Sequence, residues 1–293
     1  MDTLANLQRK LNGAKEIKSV VRTMKAMAAS NIGQYELAVS SLSEYYHTIS
    51  LGIIAYFDQE QKKVIIEKKH SKKDKVIYAI VFGSDQGLVG QFNDSLSDFV
   101  SKSLNAIQGK KEIWAVGERV QLLLSDAGFS TTKFFLLPNS VIAITPLVQQ
   151  ILMKSVEIDK KEVHIYHNKP EAGAGYIAVG QRLLPLDKKW ELSFADLHWP
   201  TKIIPQIIEG VKPILLALIH EYLFVSLFKA CAESLASENA SRLAAMQRAE
   251  KNIEGLLDNL GHQFHSLRQS TIDEELFDVV SGFEALKNKA SKK

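Results

Sequence analysis

Few side-chain combinations in this sequence offer chemistry, and the nearest is a glycine-rich loop, Gly83-Ser-Asp-Gln-Gly-Leu-Val-Gly90, set between an apolar run and a helical pattern. A phosphate loop needs a lysine for the β/γ-phosphates and a hydroxyl for magnesium, and no Lys-Ser or Lys-Thr follows the last glycine. The dinucleotide glycine spacing is absent as well. The loop is therefore expected to be a structural turn at the crevice of a sheet, with Asp85 capping the following helix or making a surface contact. A nucleotide site at this loop is the enzyme alternative. The eight histidines are scattered. His164 and His167 would face opposite sides of a strand, and His262 and His265, three apart on a helix, lack a carboxylate or cysteine in register. The single cysteine, Cys231, sits among small residues and reads as buried rather than nucleophilic. No catalytic residue, metal or cofactor is expected from these groups.

The more telling chemistry is electrostatic. Lys15, Lys18, Arg22 and Lys25 recur at intervals of three, four and three, a row of positive charge along one side of a helix. Without interleaved aromatics it does not read as a nucleic-acid site. Such a row is either a solvated helix face or a set of grazing, replaceable contacts with acidic loops of a partner.

The elements that carry these residues follow from periodicity. Leu4, Leu7, Leu11, Ala14, Ile17, Val21, Met24 and Ala28 form one stripe of an N-terminal helix, expected from about Leu4 to Tyr56 and roughly 75–80 Å long at ~1.5 Å per residue. No proline precedes Pro138 to break it. A segment from Gln61 to Lys75, with seven lysines, reads as a solvated linker. Val76–Phe82 then begins an alternation. Strands are expected at 76–82, 112–116, 131–136, 163–166 and 177–184, and helices near 93–107, 118–125 and 142–156. That order predicts an α/β body, Rossmann-like, with a small, mostly parallel open sheet flanked by helices. From about Trp199 the chain turns helical again, entering past Pro200, Pro205 and Pro213. Ala and Ser crowd the stretch 230–249 and allow close approach to neighbouring backbones. Leu256, Leu260, Phe264, Leu267, Leu276, Val279 and Phe283 then rebuild an apolar stripe. The two terminal helices are expected to pair as a long antiparallel coiled coil, giving three parts: 1–60, 75–198 and 200–288.

Composition agrees with a soluble protein: 293 residues, 46% hydrophobic, 24% charged, net charge +3. So small a net charge implies no global nucleic-acid footprint. One cysteine permits no internal disulfide and suggests a reducing compartment. The most apolar window, Ile214–Phe228, contains His220 and Glu221 and is expected to be too short for a membrane span. The opening Met-Asp-Thr-Leu-Ala-Asn is expected not to be a signal peptide. Any membrane association would then be indirect. Besides the enzyme alternative, a coiled-coil adaptor fits these features.

Four ordered segments resemble one family, the gamma subunits of F-type ATP synthases. Arg22-Thr-Met-Lys-Ala-Met-Ala-Ala-Ser30 is similar to its Lys-Ala-Met-x-Met-Val-Ala-Ala-Ser, and Ser84-Asp-Gln-Gly-Leu-Val-Gly-Gln-Phe-Asn93 to its Ser-Asp-Arg-Gly-Leu-Cys-Gly-Gly-Phe-Asn. Ala236-Ser-Glu-Asn-Ala-Ser-Arg-Leu-Ala-Ala-Met246 resembles a Ser-Glu-x-x-Ala-Arg-Met-x-Ala-Met helix. The segment from Arg268 to Gly282 resembles Arg-Gln-x-x-Ile-Thr-x-Glu-Ile-x-Glu-Ile-Val-x-Gly. The chain departs from the pattern at Asn31-Ile-Gly-Gln, at Gln86, Leu243 and Asp273, and at Ala249-Glu-Lys-Asn, where the family has Ala-Thr-x-Asn. These departures mark a divergent or alternative-operon form.

The resemblance implies a non-catalytic rotor stalk. Its partners would be a hexamer of alpha and beta subunits, an epsilon subunit and a membrane ring of c subunits, on the cytoplasmic face of a bacterial plasma membrane. ATP chemistry would lie in the beta subunits, with proton or sodium flow driving rotation. Residue by residue, it implies that Met24 and Lys25 lie near acidic lever loops of the beta subunits and that Arg242 faces the surrounding sleeve. Arg268, Gln269 and Glu275 would meet the hexamer's catch region, and Asp85 would lie near the rotor's foot.

Overall fold

The computed structural model describes residues 3–59, 76–155, 162–171, 175–185, 199, 201, 203 and 211–290. The expected linker Gln61–Lys75 and most of the entry between 200 and 210 lie outside the described residues. The elements run α1 (Leu4–Gln59), β1 (Val76–Phe82), α2 (Phe92–Asn105), β2 (Lys110–Val116), α3 (Glu118–Asp126), β3 (Thr131–Phe135), α4 (Val141–Ser155), β4 (Glu162–Glu171), β5 (Gly175–Leu184) and α5 (Val211–Ala290). Two compact units share the long helices: residues 28–244 form one, and Met1–Met27 with Ala245–Lys293 form the other.

In the larger unit the five strands are ordered β3-β2-β1-β4-β5, parallel except for β5, which runs antiparallel to β4. Strand β1 explains why the sheet is covered on both faces. Its alternate residues Ile77, Ala79 and Val81 pack with Leu96, Val100 and Leu104 of α2 and Val120 and Leu124 of α3. Tyr78, Ile80 and Phe82 point the other way, into a core with Tyr35, Ile49 and Ile53 of α1, Ile144, Val148 and Ile151 of α4, and Tyr222, Val225 and Cys231 of α5. A strand buried on both faces needs an uninterrupted apolar run. Each large side chain so buried contributes about 1.5–3 kcal/mol.

The Ala/Ser stretch of α5 belongs to this core. Ala230, Cys231, Ala232, Ser234, Ala236 and Ser237 are all buried. Small side chains bring the helix close enough for its hydroxyls to reach strand ends: Ser234 Oγ donates to the carbonyl of Phe82 at 2.9 Å, and Ser237 Oγ to that of Asn168 at 3.0 Å. Ser241 Oγ donates to the carbonyl of Val89 in the glycine-rich loop. Each replaces a hydrogen bond to water and contributes about 0.5–1.5 kcal/mol net. An 18-residue window of α5, of mean hydropathy 1.7, is long and apolar enough to cross a membrane, against the expectation from sequence. Within the helix Tyr222, Val225 and Leu227 are buried in the core, as a central helix of a globular unit requires.

In the smaller unit the two helices run antiparallel, because Lys18 pairs with Glu254 while Lys25, farther along α1, pairs with Glu250. On α1, Leu7, Ala14 and Val21 are buried at a seven-residue beat, a period of 3.5 that keeps one seam on the partner helix. On α5 the seam runs through buried Met246 and Leu260 and half-buried Ile253, Leu257, Phe264 and Leu267. Five expected stripe positions differ. Ile17 is 57% exposed and Leu256 50% exposed, because the 3.5-residue beat selects the neighbours Lys18 and Leu257 instead. The seam also stops short of Leu276, Val279 and Phe283, which are exposed.

Gly83 has a steric reason to be glycine: a Cβ there would lie 2.3 Å from the Cβ of Val120. Gly83→Ala should therefore lower stability by about 1–3 kcal/mol or more, as overpacking does. Gly87→Ala, with open space around its Cβ, should be near neutral. Thermal unfolding of the two variants checks this contrast.

Candidate functional site

The basic row lies in the helix pair, and three of its four cations have partners on α5. Lys18 Nζ is 2.8 Å from Glu254 Oε1. Arg22 Nε donates to Glu250 Oε1 at 2.7 Å, and Lys25 Nζ to Glu250 Oε2 at 2.5 Å. Lys18 and Lys25 fall on seam positions, four residues beyond Ala14 and Val21, so the row is partly inside the helix pair. Lys15 is exposed and has no ion pair among the described residues. Met24 is half-buried beside the row.

Glu250 was not singled out by sequence reasoning. The signal was present: it is the second residue of the divergent Ala249-Glu-Lys-Asn, and Glu250 and Glu254 are spaced by four, matching the row. Hydrogen bonds from Lys25 and Arg22 hold its carboxyl well below the usual range, at about 2. The same pairing raises the Arg22 guanidinium further above its ordinary value.

The remaining expected residues are dispersed. Asp85 caps a helix, though not the following one: Oδ1 accepts from the backbone N–H of Glu118 at the start of α3, and Oδ2 from that of Leu137. The chain crosses from β1 to β2 at this edge, which brings α3 rather than α2 to the carboxylate. Arg242 Nη2 is 2.6 Å from Glu238 Oε1, one turn back on α5, and only 15% of its side chain is exposed. Burial pushes the Glu238 carboxyl up, and Arg242 opposes that shift. Arg268, Gln269 and Glu275 are exposed on α5.

The glycine-rich loop is tied down by its own residues. Asn93 Oδ1 accepts from the Ser84 N–H, Asn93 Nδ2 donates to Ser84 Oγ, and Ser84 Oγ donates to the Gln86 carbonyl. Gly117, at φ +108°, brings the start of α3 against Ser84, whose carbonyl accepts from the Arg119 N–H. His167 and Glu233 form a buried pair, Nε2 to Oε2 2.7 Å, and hydrogen bonding to His167 helps lower the Glu233 carboxyl against the desolvation that opposes it. Among the described residues no group of three metal-ligating side chains gathers.

An open, mostly parallel sheet stands beside a helix pair built from the two long helices. Residues 3–286 match the family model described as ATP synthase. The chain is 22% identical over 298 residues to the ATP synthase gamma chain of Bdellovibrio bacteriovorus, covering 98% of this chain and 100% of that one. It is 27% identical over 305 residues to the ATP synthase gamma chain of Wolbachia from Brugia malayi, again covering 98% and 100%. Among solved structures, the mitochondrial ATP synthase of Euglena gracilis, in rotational state 3, contains a chain with the same fold at a TM-score of 0.68 and 15% identity, covering 99% of this chain and 96% of that one. The central stalk and c-ring structure from Tetrahymena thermophila gives a TM-score of 0.57 at 20% identity, covering 78% and 99%. The chain belongs to the ATP synthase gamma-subunit family.

A depressed carboxyl ties the helix pair to pH with a definite sign. Glu250 titrates at about 2 in the folded chain against 4.5 for an unperturbed group, so its contribution is complete above about 4.5 and is lost as pH falls towards about 2. The unfolding midpoint of Glu250→Gln should lie below that of the wild type at neutral pH, with the gap closing across that acid window. Thermal melts followed by helical circular dichroism over a pH series would measure it.

Proposed function

We propose that this chain is the non-catalytic rotor shaft of a proton- or sodium-translocating ATP synthase. It turns inside a hexamer of alpha and beta subunits whose beta subunits carry out the ATP chemistry. The epsilon subunit and the c-ring meet its body, and the complex works at the cytoplasmic face of a bacterial plasma membrane. In this reading segments 1–60 and 200–288 supply the shaft, through α1 and α5, and residues 75–198 the body. Asp85 then lies in a loop near the rotor's foot.

One observation carries the reading. Past the end of the seam, α5 continues with Ile272, Leu276, Phe277, Val279 and Phe283 exposed, three of them by more than two-thirds. Apolar surface of that extent on one helix end marks a site that another protein covers. A ring of subunits closing around the shaft is such a cover, and Arg268, Gln269 and Glu275 on the same stretch supply polar contacts to it. The basic row supplies the second kind of contact, with acidic lever loops reaching Met24 and Lys25 as the shaft turns. Arg242, mostly covered by its own chain, offers the sleeve a smaller surface.

Co-expressed with cognate alpha and beta subunits, the chain should co-purify as one complex that hydrolyses ATP, while the chain alone should not hydrolyse it. Failure to assemble would refute the proposal. Lys15→Glu isolates the electrostatic contact, since Lys15 has no ion pair within the described chain to lose. Hydrolysis by the complex should fall and become less sensitive to salt, with the unfolding midpoint of the free chain unchanged.

A further inference from the structure

Resting on the reading just given, the geometry points to Arg22 as the cation of the row that receives a carboxylate from an acidic loop of the partner, with Glu250 as the positioning residue that aims it. The four cations are not equivalent. Lys18 and Lys25 sit in the seam with side chains 21% and 35% exposed, and each ammonium is already 2.8 Å or less from a carboxylate of α5. Lys15, which has no ion pair among the described residues, is an ammonium on a flexible stem, suited to attraction at a distance rather than to a directed bond.

Arg22 differs in both exposure and attachment. Its side chain is 58% exposed, although its Nε is held by Glu250 Oε1 at 2.7 Å. Its Nη2 lies 3.8 Å from Glu254 Oε1, beyond hydrogen-bond distance. The guanidinium is thus anchored at the inner edge, and its terminal nitrogens, which make no hydrogen bond among the described residues, can offer the paired bonds that a carboxylate accepts. Glu250 is itself fixed, 14% exposed and held through its other oxygen by Lys25. An arginine restrained before its partner arrives loses less side-chain freedom on binding.

The experiment uses the full chain assembled with its alpha and beta subunits and reads ATP hydrolysis turnover and its salt dependence. Arg22→Lys keeps the charge and removes the fork. Glu250→Gln keeps the side-chain size and weakens the anchor. Each should lower turnover by roughly threefold to tenfold, the scale of one charge-assisted hydrogen bond. The double variant should be no worse than Arg22→Lys, because Glu250 acts through Arg22. Unfolding midpoints of the free variants provide the structural control. Because Glu250→Gln is itself expected to lower the midpoint, turnover is read well below the lowest midpoint, where every variant is folded, and an additive double variant overturns the positioning role of Glu250. Wild-type turnover in Arg22→Lys overturns the inference as a whole. If Arg22→Glu and Lys15→Glu are silent too, the row makes no partner contact and the underlying reading falls. If either is harmful while Arg22→Lys is not, only the present inference falls.

Discussion

The close approach of α5 to the carboxyl ends of β1 and β4 is the constraint on which the body depends. Ser234 and Ser237, three residues apart, bond the carbonyls of Phe82, the last residue of β1, and Asn168 of β4, next to the His167 that pairs with Phe82. Such bonds require a helix backbone nearer to the sheet than Leu or Phe side chains allow, hence the Ala and Ser on the contacting face. The same proximity lets Ser241 reach Val89 and fixes the glycine-rich loop, which Asn93 and Asp85 hold from the other side. A loop that resembles a phosphate cradle in composition is therefore a joint between a helix and a sheet.

Charge is buried in that joint only where it is paired. Glu233 meets His167 of β4, which links α5 to the sheet, while Glu238 meets Arg242 one turn along α5 itself. Removing one partner from such a pair leaves an uncompensated charge out of water, a larger loss than the pair's net contribution. Only the Glu233–His167 pair bears on how α5 meets the sheet.

The helix pair of the smaller unit follows a different rule. Its seam has Ala14 and Val21 where long coiled coils often have leucine, and lysines at two of the intervening positions. Polar residues at seam positions lower stability and restrict register. Glu250, bridging Arg22 and Lys25, turns that weakness into a specific match between opposite faces. A helix pair held by ion pairs between apolar contacts at Met246 and Leu260 presents charge and apolar surface to the outside in turn.

Much of this was legible beforehand. The five strands, their mostly parallel arrangement and the two terminal helices follow from local periodicity, because a strand buried on both faces and a helix with one buried stripe leave different spacings in the chain. The four family segments lie in order along it. Where the stripe fell was less legible: a straight 3.6-residue helix selects Ile17 and Leu256, whereas winding about a partner at 3.5 selects Lys18 and Leu257. The basic row could be read as a row, but not as a row with a counter-ion. Glu250 is 225 residues from Lys25, and only the antiparallel fold brings them to 2.5 Å. Asp85 likewise announced a cap, and the crossover from β1 to β2 decided which helix it caps. Sequence by itself determined what could be read from neighbours within a turn or two. Tertiary structure decided every pairing of distant charges, because Coulomb and hydrogen-bond energies depend on separation in space and not along the chain.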